Sequence, residues 1–260
     1  MIRGIYAAAS GMIAEGLRTD VTANNLANVN TTGFKKEIAV NKDFEKMLLW
    51  RINDGLETPQ IGSVGAGAAV DQIVTDHSQG STRSTQGSLD VAIAGDGFFV
   101  VQTPQGQRYT RAGSFEIGSD NHLVTKEGQA VLGTNGQPIT IEGPGGASRI
   151  NITSDGIVEL NPIEAGGVPT EAGRLQVVSF ADLKRLAKEG QNLFAAPGGD
   201  RPQPVATPNL QQGYLEMSNV NAVQEMVNLI TGYRAYEIDS KAVQAEDSLL
   251  DKAVNEVGRS

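Results

Sequence analysis

His77 has the side chain with the widest catalytic use in this sequence, and Asp76 and Ser78 flank it. Serine hydrolases use these three side-chain types: the hydroxyl attacks a carbonyl, the imidazole takes the proton, and the carboxylate orients the imidazole. Neighbours in sequence do not form such a triad, because its members converge from separate parts of a chain. The Gly-x-Ser-x-Gly turn that exposes a nucleophilic serine is also missing. We therefore expect no catalytic residue and predict that the protein is not an enzyme.

Metal and cofactor sites find equally little support in the sequence. It contains no cysteine and only two histidines, His77 and His122, which excludes thiolate chemistry and the common zinc ligand sets. The glycine-rich residues 143–146 lack the Lys-Ser/Thr pair of a phosphate-binding loop. The turns at Asp120 and Asp155 lack the ligand spacing of a calcium loop. We predict no metal, no cofactor and no small-molecule substrate.

Charge and hydropathy narrow the class of partner. The 260 residues include 21 Lys and Arg against 30 Asp and Glu, which gives a net charge of −9. A chain this acidic is poorly suited to nucleic acids or anionic membranes, and no stretch approaches the roughly 20 apolar residues of a membrane span. The first residues reach Glu15 and Arg18 too early for a cleavable signal peptide. We therefore expect protein partners, no nucleic acid and no membrane insertion.

Both ends of the chain have the apolar spacing of α-helices. Steps of three and four connect the N-terminal apolar residues Ile2, Ile5, Ala9, Met12, Ile13, Leu17 and Val21. A longer seam, interrupted at Arg234, follows this pattern at the C-terminus: Val220, Val223, Val227, Ile230, Ile238, Ala242, Ala245, Leu249 and Ala253. Asn221 and Gln224 fit a variant of the capping box at the start of this second helix. Gly33 can take the left-handed conformation that closes the first helix, and the opposite net charges of the two ends suit a helix pair.

The middle of the chain changes to the two-residue period of β-strands. Turn residues such as Asn135-Gly136 recur there, and they separate strand-like runs at 89–93, 98–101, 149–152, 157–160 and 174–180. Within this region only residues 181–188 are predicted to be helical. The predicted fold class is therefore α+β, with long N- and C-terminal helices that pair as a coiled-coil-like segment and a central all-β domain.

This pattern predicts four regions along the chain. They are the N-terminal helix and the segment after it at 1–36, an extended linker region at 37–75, the central β domain at 76–213, and the C-terminal helix, packed against the first region, at 214–260. A short helix over residues 44–52 is the alternative to a fully extended linker. Prolines mark residues 197–212 as an extended connector at the end of the β domain.

Several long segments of the sequence resemble the characteristic segments of one known protein family. Residues 24–35, Asn-Asn-Leu-Ala-Asn-Val-Asn-Thr-Thr-Gly-Phe-Lys, resemble the N-terminal signature of the flagellar rod and hook proteins. The resemblance continues at residues 89–99, 109–115, 216–221 and 233–237. In order and spacing these segments cover nearly the whole chain, so the sequence is identified as similar to the flagellar rod family.

The resemblance implies a structural function. A rod subunit leaves the cell through the flagellar type III export apparatus without a cleaved signal. It then polymerises into the hollow helical shaft of the basal body, which lies in the periplasm of a two-membrane cell and transmits torque from motor to hook. The implied partners are other copies of the chain, neighbouring rod proteins and the export apparatus. Residues 76–80, 188–194 and 255–259 look more like the proximal rod protein and residues 232–238 rather like the distal one, so the proximal subtype is favoured.

The predicted assembly interface combines the two apolar stripes with the asparagine-rich segment. Its members are Ile5, Met12, Leu17, Val21, Asn24, Asn25, Leu26, Asn28, Asn30, Gly33, Phe34, Asn219, Asn221, Val223, Val227, Ile230, Tyr233, Tyr236, Ile238, Ala242 and Leu249. The asparagines exceed what one helix cap needs, and amides can pair across subunits; the alternative is local hydrogen bonding at a frayed helix end. The alternative for the stripes is an intramolecular helix pair. The alternative function is a non-flagellar soluble β-domain binding or scaffold module that dimerises through its terminal helices.

Overall fold

The chain divides into two units, each assembled from segments that are distant in sequence. The computed structural model describes residues 2–43, 47–50, 60–64, 67–141, 148–162, 169–190, 192–198 and 201–257. The first unit comprises Met1–Ala27, Glu37–Val74 and Asn221–Ser260. The second comprises Asn28–Lys36 and Thr75–Val220. Residues 143–146, considered above as a phosphate loop, lie outside the described residues.

Two long helices dominate the first unit. Helix α1 spans Ile2–Ala27, helix α2 spans Ala222–Val257, and the two are in contact. This contact confirms the predicted pairing of the chain ends. Together with the β structure of the second unit, it also confirms the α+β class. No helix in the described part of the chain is long and apolar enough to cross a membrane.

The start of α2 forms one half of the predicted capping box. Oδ1 of Asn221 accepts hydrogen bonds from the backbone N–H groups of Val223 and Gln224, at 3.1 and 3.2 Å. These bonds satisfy two of the donors that every helix leaves open at its first turn. The side chain of Gln224 donates instead to Oδ1 of Asn228, at 3.0 Å. Asn221 therefore caps the helix without the reciprocal bond.

Three glycines lie at close contacts between α1 and α2. A Cβ atom added at Gly4 would lie 2.7 Å from Oε1 of Glu246, and one at Gly11 would lie 2.6 Å from Oδ2 of Asp239. On α2, a Cβ at Gly232 would lie 2.8 Å from an α1 side chain. These positions recur every seven residues, the period of a left-handed coiled coil. The two helices therefore approach each other closely at these small residues.

Two β ribbons complete the first unit. They pair β1 (Glu37–Asp43) with β4 (Ala68–Thr75), and β2 (Met47–Trp50) with β3 (Gln60–Val64). The alternative of a short helix over residues 44–52 is wrong for Met47–Trp50, which pair antiparallel with β3. The remaining residues of that stretch lie outside the described ranges.

Short strands build the second unit. In chain order they are β5 (Thr82–Ser84), β6 (Val91–Ile93), β7 (Phe98–Thr103), β8 (Gly106–Thr110), β9 (Phe115–Ile117), β10 (Leu123–Thr125), β11 (Ala130–Val131), β12 (Ser148–Ile152), β13 (Ile157–Pro162), β14 (Thr170–Arg174), β15 (Val177–Ser179), β16 (Ala187–Glu189), β17 (Leu193–Ala195), β18 (Gln203–Pro204), β19 (Leu210–Gln212) and β20 (Tyr214–Glu216). The largest sheet has the order β16-β17-β8-β7-β11-β10-β9, and β15 joins it on β7. Strands β12, β13 and β14 form an antiparallel sheet, while β6 pairs with β19 and β5 with β20.

Strand β7 lies at the centre of the core and is buried on both faces. Phe99 and Val101 pack in one apolar cluster, and Phe98 and Val100 pack in a second one on the opposite face. A strand buried on both sides has a continuous apolar sequence, which explains the run over residues 98–101. The local pattern therefore identified the central strand correctly.

The predicted strands agree with the structure more closely than the predicted internal helix does. Runs 149–152 and 157–160 coincide with β12 and β13, whereas run 174–180 is divided between β14 and β15. The helix predicted over 181–188 is wrong: one 3₁₀ turn covers Leu183–Arg185, and β16 follows. Pairing of β16 with β17 overrides the local helical preference, because the ladder gains hydrogen bonds that an isolated short helix lacks.

Candidate functional site

Gly33 brings the segment after α1 into close contact with the β structure. Its φ is +70°, and a Cβ atom there would lie 2.3 Å from the backbone N of Ala112. Its N–H donates to the carbonyl oxygen of Glu216 at 2.9 Å. Helix α1 already ends at Ala27, so the prediction that Gly33 closes this helix is wrong. The left-handed glycine instead lets the chain pass close to the backbone at Ala112.

Lys35, Arg111 and Glu216 form a buried charge cluster in the second unit. Nζ of Lys35 lies 2.7 Å from Oε1 of Glu216, and Nη1 of Arg111 lies 3.3 Å from its Oε2. The three side chains are 1%, 3% and 0% exposed. Nζ of Lys35 also donates to the carbonyl oxygen of Ser78 at 2.7 Å, and the N–H of Gly80 donates to Oε1 of Glu216 at 2.9 Å. Each carboxylate oxygen of Glu216 therefore faces a cation.

Burial of these charges depends on Glu216. Desolvation lowers the pKa of Lys35 and that of Arg111, while attraction to Glu216 opposes the shift in both groups. Repulsion from Arg111 lowers the pKa of Lys35 further, and Asp76 raises it. A buried ion is costly unless it is paired and hydrogen-bonded. Glu216 supplies that pairing for two cations at once.

Asn219 joins the same segments through uncharged hydrogen bonds. Its Oδ1 accepts from the N–H of Lys36 at 2.8 Å, and its Nδ2 donates to the carbonyls of Asp76 and Ser78 at 2.9 and 3.2 Å. The N–H of Asp76 donates to the carbonyl of Lys36 at 2.8 Å. We call residues 33–36, 76–80 and 216–219, together with Arg111, the junction cluster. It unites the signature segment with the chain just before α2.

His77 does not form a hydrolase triad. Its ring packs against Phe98 and Phe194, with ring centroids 5.8 and 5.1 Å apart. The carboxylate of Asp76 accepts from the N–H of Ser78 at 2.9 Å, and the amide of Asn219 donates to the Ser78 hydroxyl at 3.0 Å. The other histidine, His122, shares a hydrogen bond with Thr140. Across the described residues, no three His, Asp or Glu side chains are grouped as metal ligands.

We expect the second unit to lose stability as the pH falls from 6.5 towards 4. Burial, followed by repulsion from Lys35 and Arg111, lowers the pKa of His77 from 6.5 to about 4. Between these values the unfolded chain binds a proton at His77 and the native chain does not, so acid favours unfolding. His77→Phe removes this titration, and its urea midpoint should fall less over that range than that of the wild type. Above pH 6.5 the two proteins should respond to pH alike; equal falls below it would contradict the prediction.

Gly80→Ala should destabilise the second unit by about 1–3 kcal/mol, because it overpacks a rigid contact. A Cβ at this position would lie 2.0 Å from the carbonyl oxygen of Met217, and a backbone atom cannot move aside as a side chain can. Gly198→Ala is the matched control, because a Cβ there has nothing within 4 Å. Urea unfolding of the full chain measures both. Similar midpoints for the two variants would show that the chain near Met217 can shift without cost.

The helices of the first unit expose many apolar side chains. The exposed ones on α2 are Val223, Met226, Val227, Ile230, Tyr233, Tyr236, Ile238, Leu249 and Val254, and those on α1 are Tyr6, Ile13 and Leu17. Exposed apolar patches of this kind mark sites of contact with other proteins. A groove of about 520 Å³ lies among them, lined by Ala9, Met12, Ile13, Gly16, Leu17, Asp20 and Tyr236. It provides a concave surface beside the projecting side chains.

Some of the predicted interface residues lie on the surface of the structure and others lie in its interior. The exposed members are Leu17, Asn24, Asn30, Asn221, Val223, Val227, Ile230, Tyr233, Tyr236, Ile238, Ala242 and Leu249. Half-buried members are Ile5, Met12, Val21, Leu26 and Asn219, and fully buried ones are Asn25, Asn28, Gly33 and Phe34. Sequence reasoning missed the exposed Tyr6, Met226 and Val254, and it assigned no role to Lys35, Arg111 or Glu216.

The buried asparagines bond within their own chain. Asn25 is clamped to the backbone of Glu37: its Nδ2 donates to the carbonyl at 2.7 Å, and its Oδ1 accepts from the N–H at 2.9 Å. Oδ1 of Asn28 accepts from the Thr31 hydroxyl at 3.1 Å. These bonds fit the alternative of local side-chain hydrogen bonding near the helix end. Asn24 and Asn30 are exposed.

Three family descriptions match successive parts of the chain. "Flagella basal body rod protein" matches residues 5–35, which include the whole signature segment. "Flagellar hook protein FlgE/F/G D1 domain" matches residues 92–160 within the β structure. "Flagellar basal body rod FlgEFG protein C-terminal" matches residues 211–256, which include α2. The matches follow the chain in order.

Relatives that match nearly the whole chain contradict the subtype that the short motifs predicted. The flagellar basal-body rod protein FlgG of Borreliella burgdorferi is 38% identical, over 98% of each chain. FlgG of Bacillus subtilis is 36% identical, over 98% of this chain and 99% of its own, and FlgG of Caulobacter vibrioides is 34% identical, over 96% and 97%. FlgG is the distal rod protein, so the proximal subtype expected from three short segments is wrong. A few residues in each segment carry less information than identity along the whole chain. The chain belongs to the flagellar basal-body rod protein family, whose members are structural subunits and not enzymes.

Proposed function

We propose that this chain is a subunit of the distal part of the rod and polymerises through the exposed faces of α1 and α2. The observation that carries the subtype is full-length similarity to proteins named FlgG, at 34–38% identity in three different organisms. The proposed interface consists of the exposed or half-buried predicted assembly residues other than Asn219, together with Tyr6, Ile13, Met226 and Val254. The amide of Asn219 bonds within the junction cluster instead. Its partners are further copies of the chain and neighbouring rod proteins.

The contacts within the helix pair support this interface. Gly4, Gly11 and Gly232 lie at close contacts between α1 and α2, while large apolar side chains such as Ile230 and Ile238 lie on the surface, at 54% and 66% exposure. A neighbouring subunit can bury these side chains and gain roughly 25 cal/mol for each Å² of apolar area covered. The projecting side chains of α2 and the groove beside α1 are unlike surfaces. Contacts between unlike surfaces repeat head to tail instead of forming a two-fold dimer, and they build an open helix when the rotation between subunits does not close a ring.

We further propose that the chain reaches the rod through the flagellar type III export apparatus without a cleaved signal. In a two-membrane cell its working position is then the periplasm. Membership of the flagellar basal-body rod family supports this proposal, because a rod subunit has to leave the cytoplasm before it assembles. In the assembled rod the chain transmits torque from motor to hook by holding a fixed geometry.

Imaging of labelled chain in purified basal bodies tests the position. A tag inserted at the exposed turn of Asn135 and Gly136 should appear on the hook side of the rod. Label on the motor side would reject the distal subtype, and absence from basal bodies would reject the rod assignment. Purified chain, seeded with basal-body fragments, should extend as tubes in electron micrographs. A closed dimer that does not respond to seeding would favour the scaffold alternative.

A further inference from the structure

We propose that Glu216 is a folding latch: residues 33–36 and residues 76–80 become ordered only when residues 216–219 dock between them. The latch is a property of the second unit and does not depend on what the chain assembles into. It rests on the junction cluster, in which Glu216, late in the sequence, supplies the counter-charge for Lys35, early in the sequence. Three observations carry it: sequence separation, charge and close backbone packing.

The bonding partners of Lys35 and Lys36 lie far along the sequence and are synthesised late. Lys35 and Glu216 are 181 residues apart, and Lys36 and Asn219 are 183 apart. A ribosome produces the N-terminal partner first, so Lys35 exists for most of synthesis without Glu216. The β7–β8 hairpin, by contrast, pairs residues close in sequence, from Phe99 with Thr110 to Thr103 with Gly106. Local pairs form before distant ones because they close shorter loops.

The positive charge of Lys35 opposes early docking of residues 33–36. If Lys35 entered its buried position before Glu216, it would lie near Arg111 with no buried carboxylate between the two cations. Asp76 attracts Lys35, but Asp76 is only half-buried and its Oδ1 already accepts from the N–H of Ser78. Desolvating two like charges without a counter-ion is strongly unfavourable. The segment therefore stays undocked until Glu216 arrives.

Residues 76–80 also need residues 216–219 in order to complete their backbone contacts. The N–H of Gly80 donates to Oε1 of Glu216, and Gly80 packs tightly against the carbonyl of Met217. The N–H of Met217 donates to the carbonyl of Ser81 at 2.8 Å, next to the pairing of β5 with β20. The arrival of residues 216–219 thus completes hydrogen bonds for both earlier segments in one step.

Pulse-labelled hydrogen exchange during refolding of the full chain from urea, read by NMR, tests the latch. The decisive amide is that of Asp76, because its partner is the carbonyl of Lys36 and not a residue of 216–219. We expect it to become protected together with the amide of Met217, after the amides of β7 and β8. Protection of Asp76 before Met217 in the wild type would overturn the proposal.

A charge variant separates the latch from simple chain topology. In Lys35→Met the buried cation is gone, so the Asp76 amide should become protected about tenfold or more faster than that of Met217, a ratio that corresponds to about 1.4 kcal/mol. Lys184→Met makes the same change at an exposed position of the same unit and should keep the wild-type order. If Lys35→Met also keeps that order, charge does not time the docking and the latch is wrong.

Discussion

Ile230→Asp is expected to abolish incorporation of the chain into the rod while leaving the isolated chain folded. Ile230 lies on α2 and is 54% exposed in the single chain, so a carboxylate there can remain in water and costs little stability. In the proposed polymer the same position is covered by a neighbour. A carboxylate without a partner in an apolar contact costs several kcal/mol, and every subunit along the rod repeats that cost.

Motility plates and electron microscopy of basal bodies measure this effect, with the thermal unfolding of the purified chain as the folding check. Gln244→Asp places the same carboxylate at an exposed polar position of α2 and should assemble. Ile230→Ala should assemble weakly, since it loses area without adding charge. Normal rods from Ile230→Asp would show that this face of α2 stays in contact with water and would remove α2 from the proposed interface.

Glu225 shows why such controls have to be chosen on the structure. Along the sequence Glu225 looks like a solvated position on α2, suited to a neutral control substitution. In the structure it is 1% exposed, so its replacement is expected to disturb the fold. Periodicity identifies residues that share one face of a helix, but it does not say which face the rest of the chain covers.

The same limit explains which parts of the fold the sequence predicted. Helix ends and central strands depend on local periods and caps, and Asn221 and the run around Phe98 were found on that basis. The helix contact depends on Gly4 and Gly11, whose small size permits close approach without adding an apolar signal. The stripe of large apolar residues was therefore an unreliable guide to the inner face of the pair.

The junction cluster could not be predicted from the sequence, for a different reason. Lys35, Arg111 and Glu216 are residue types that are almost always solvated, so no local pattern distinguishes them from surface charges. Their pairing joins positions 181 residues apart, which only the folded chain brings together. The nearest available signal was the presence of Lys35 within the signature segment and of Glu216 at the start of the C-terminal match.

Glu216→Ala is expected to destabilise the second unit by about 3–5 kcal/mol, the usual cost of removing one partner from a buried ion pair. The substitution leaves Lys35 and Arg111 buried without their carboxylate and removes the acceptor of the Gly80 N–H. Domains are commonly stable by only about 5–15 kcal/mol, so a loss of this size moves the unit close to unfolding. The variant should also lose protection of residues 33–36 against hydrogen exchange.

Urea unfolding of the full chain, followed by the circular dichroism of the β structure, measures this loss. Glu189→Ala is the matched control, because it removes a carboxylate from the more exposed pair with Arg108, 2.6 Å away, and such pairs contribute about 1 kcal/mol or less. The Lys35→Met and Glu216→Ala double variant should recover part of the stability, since it no longer buries both cations unpaired. Additive losses in the double variant would contradict the coupling between Lys35 and Glu216, and the decisive contribution of Glu216 would then have to come from its bonds to Gly80 and Arg111.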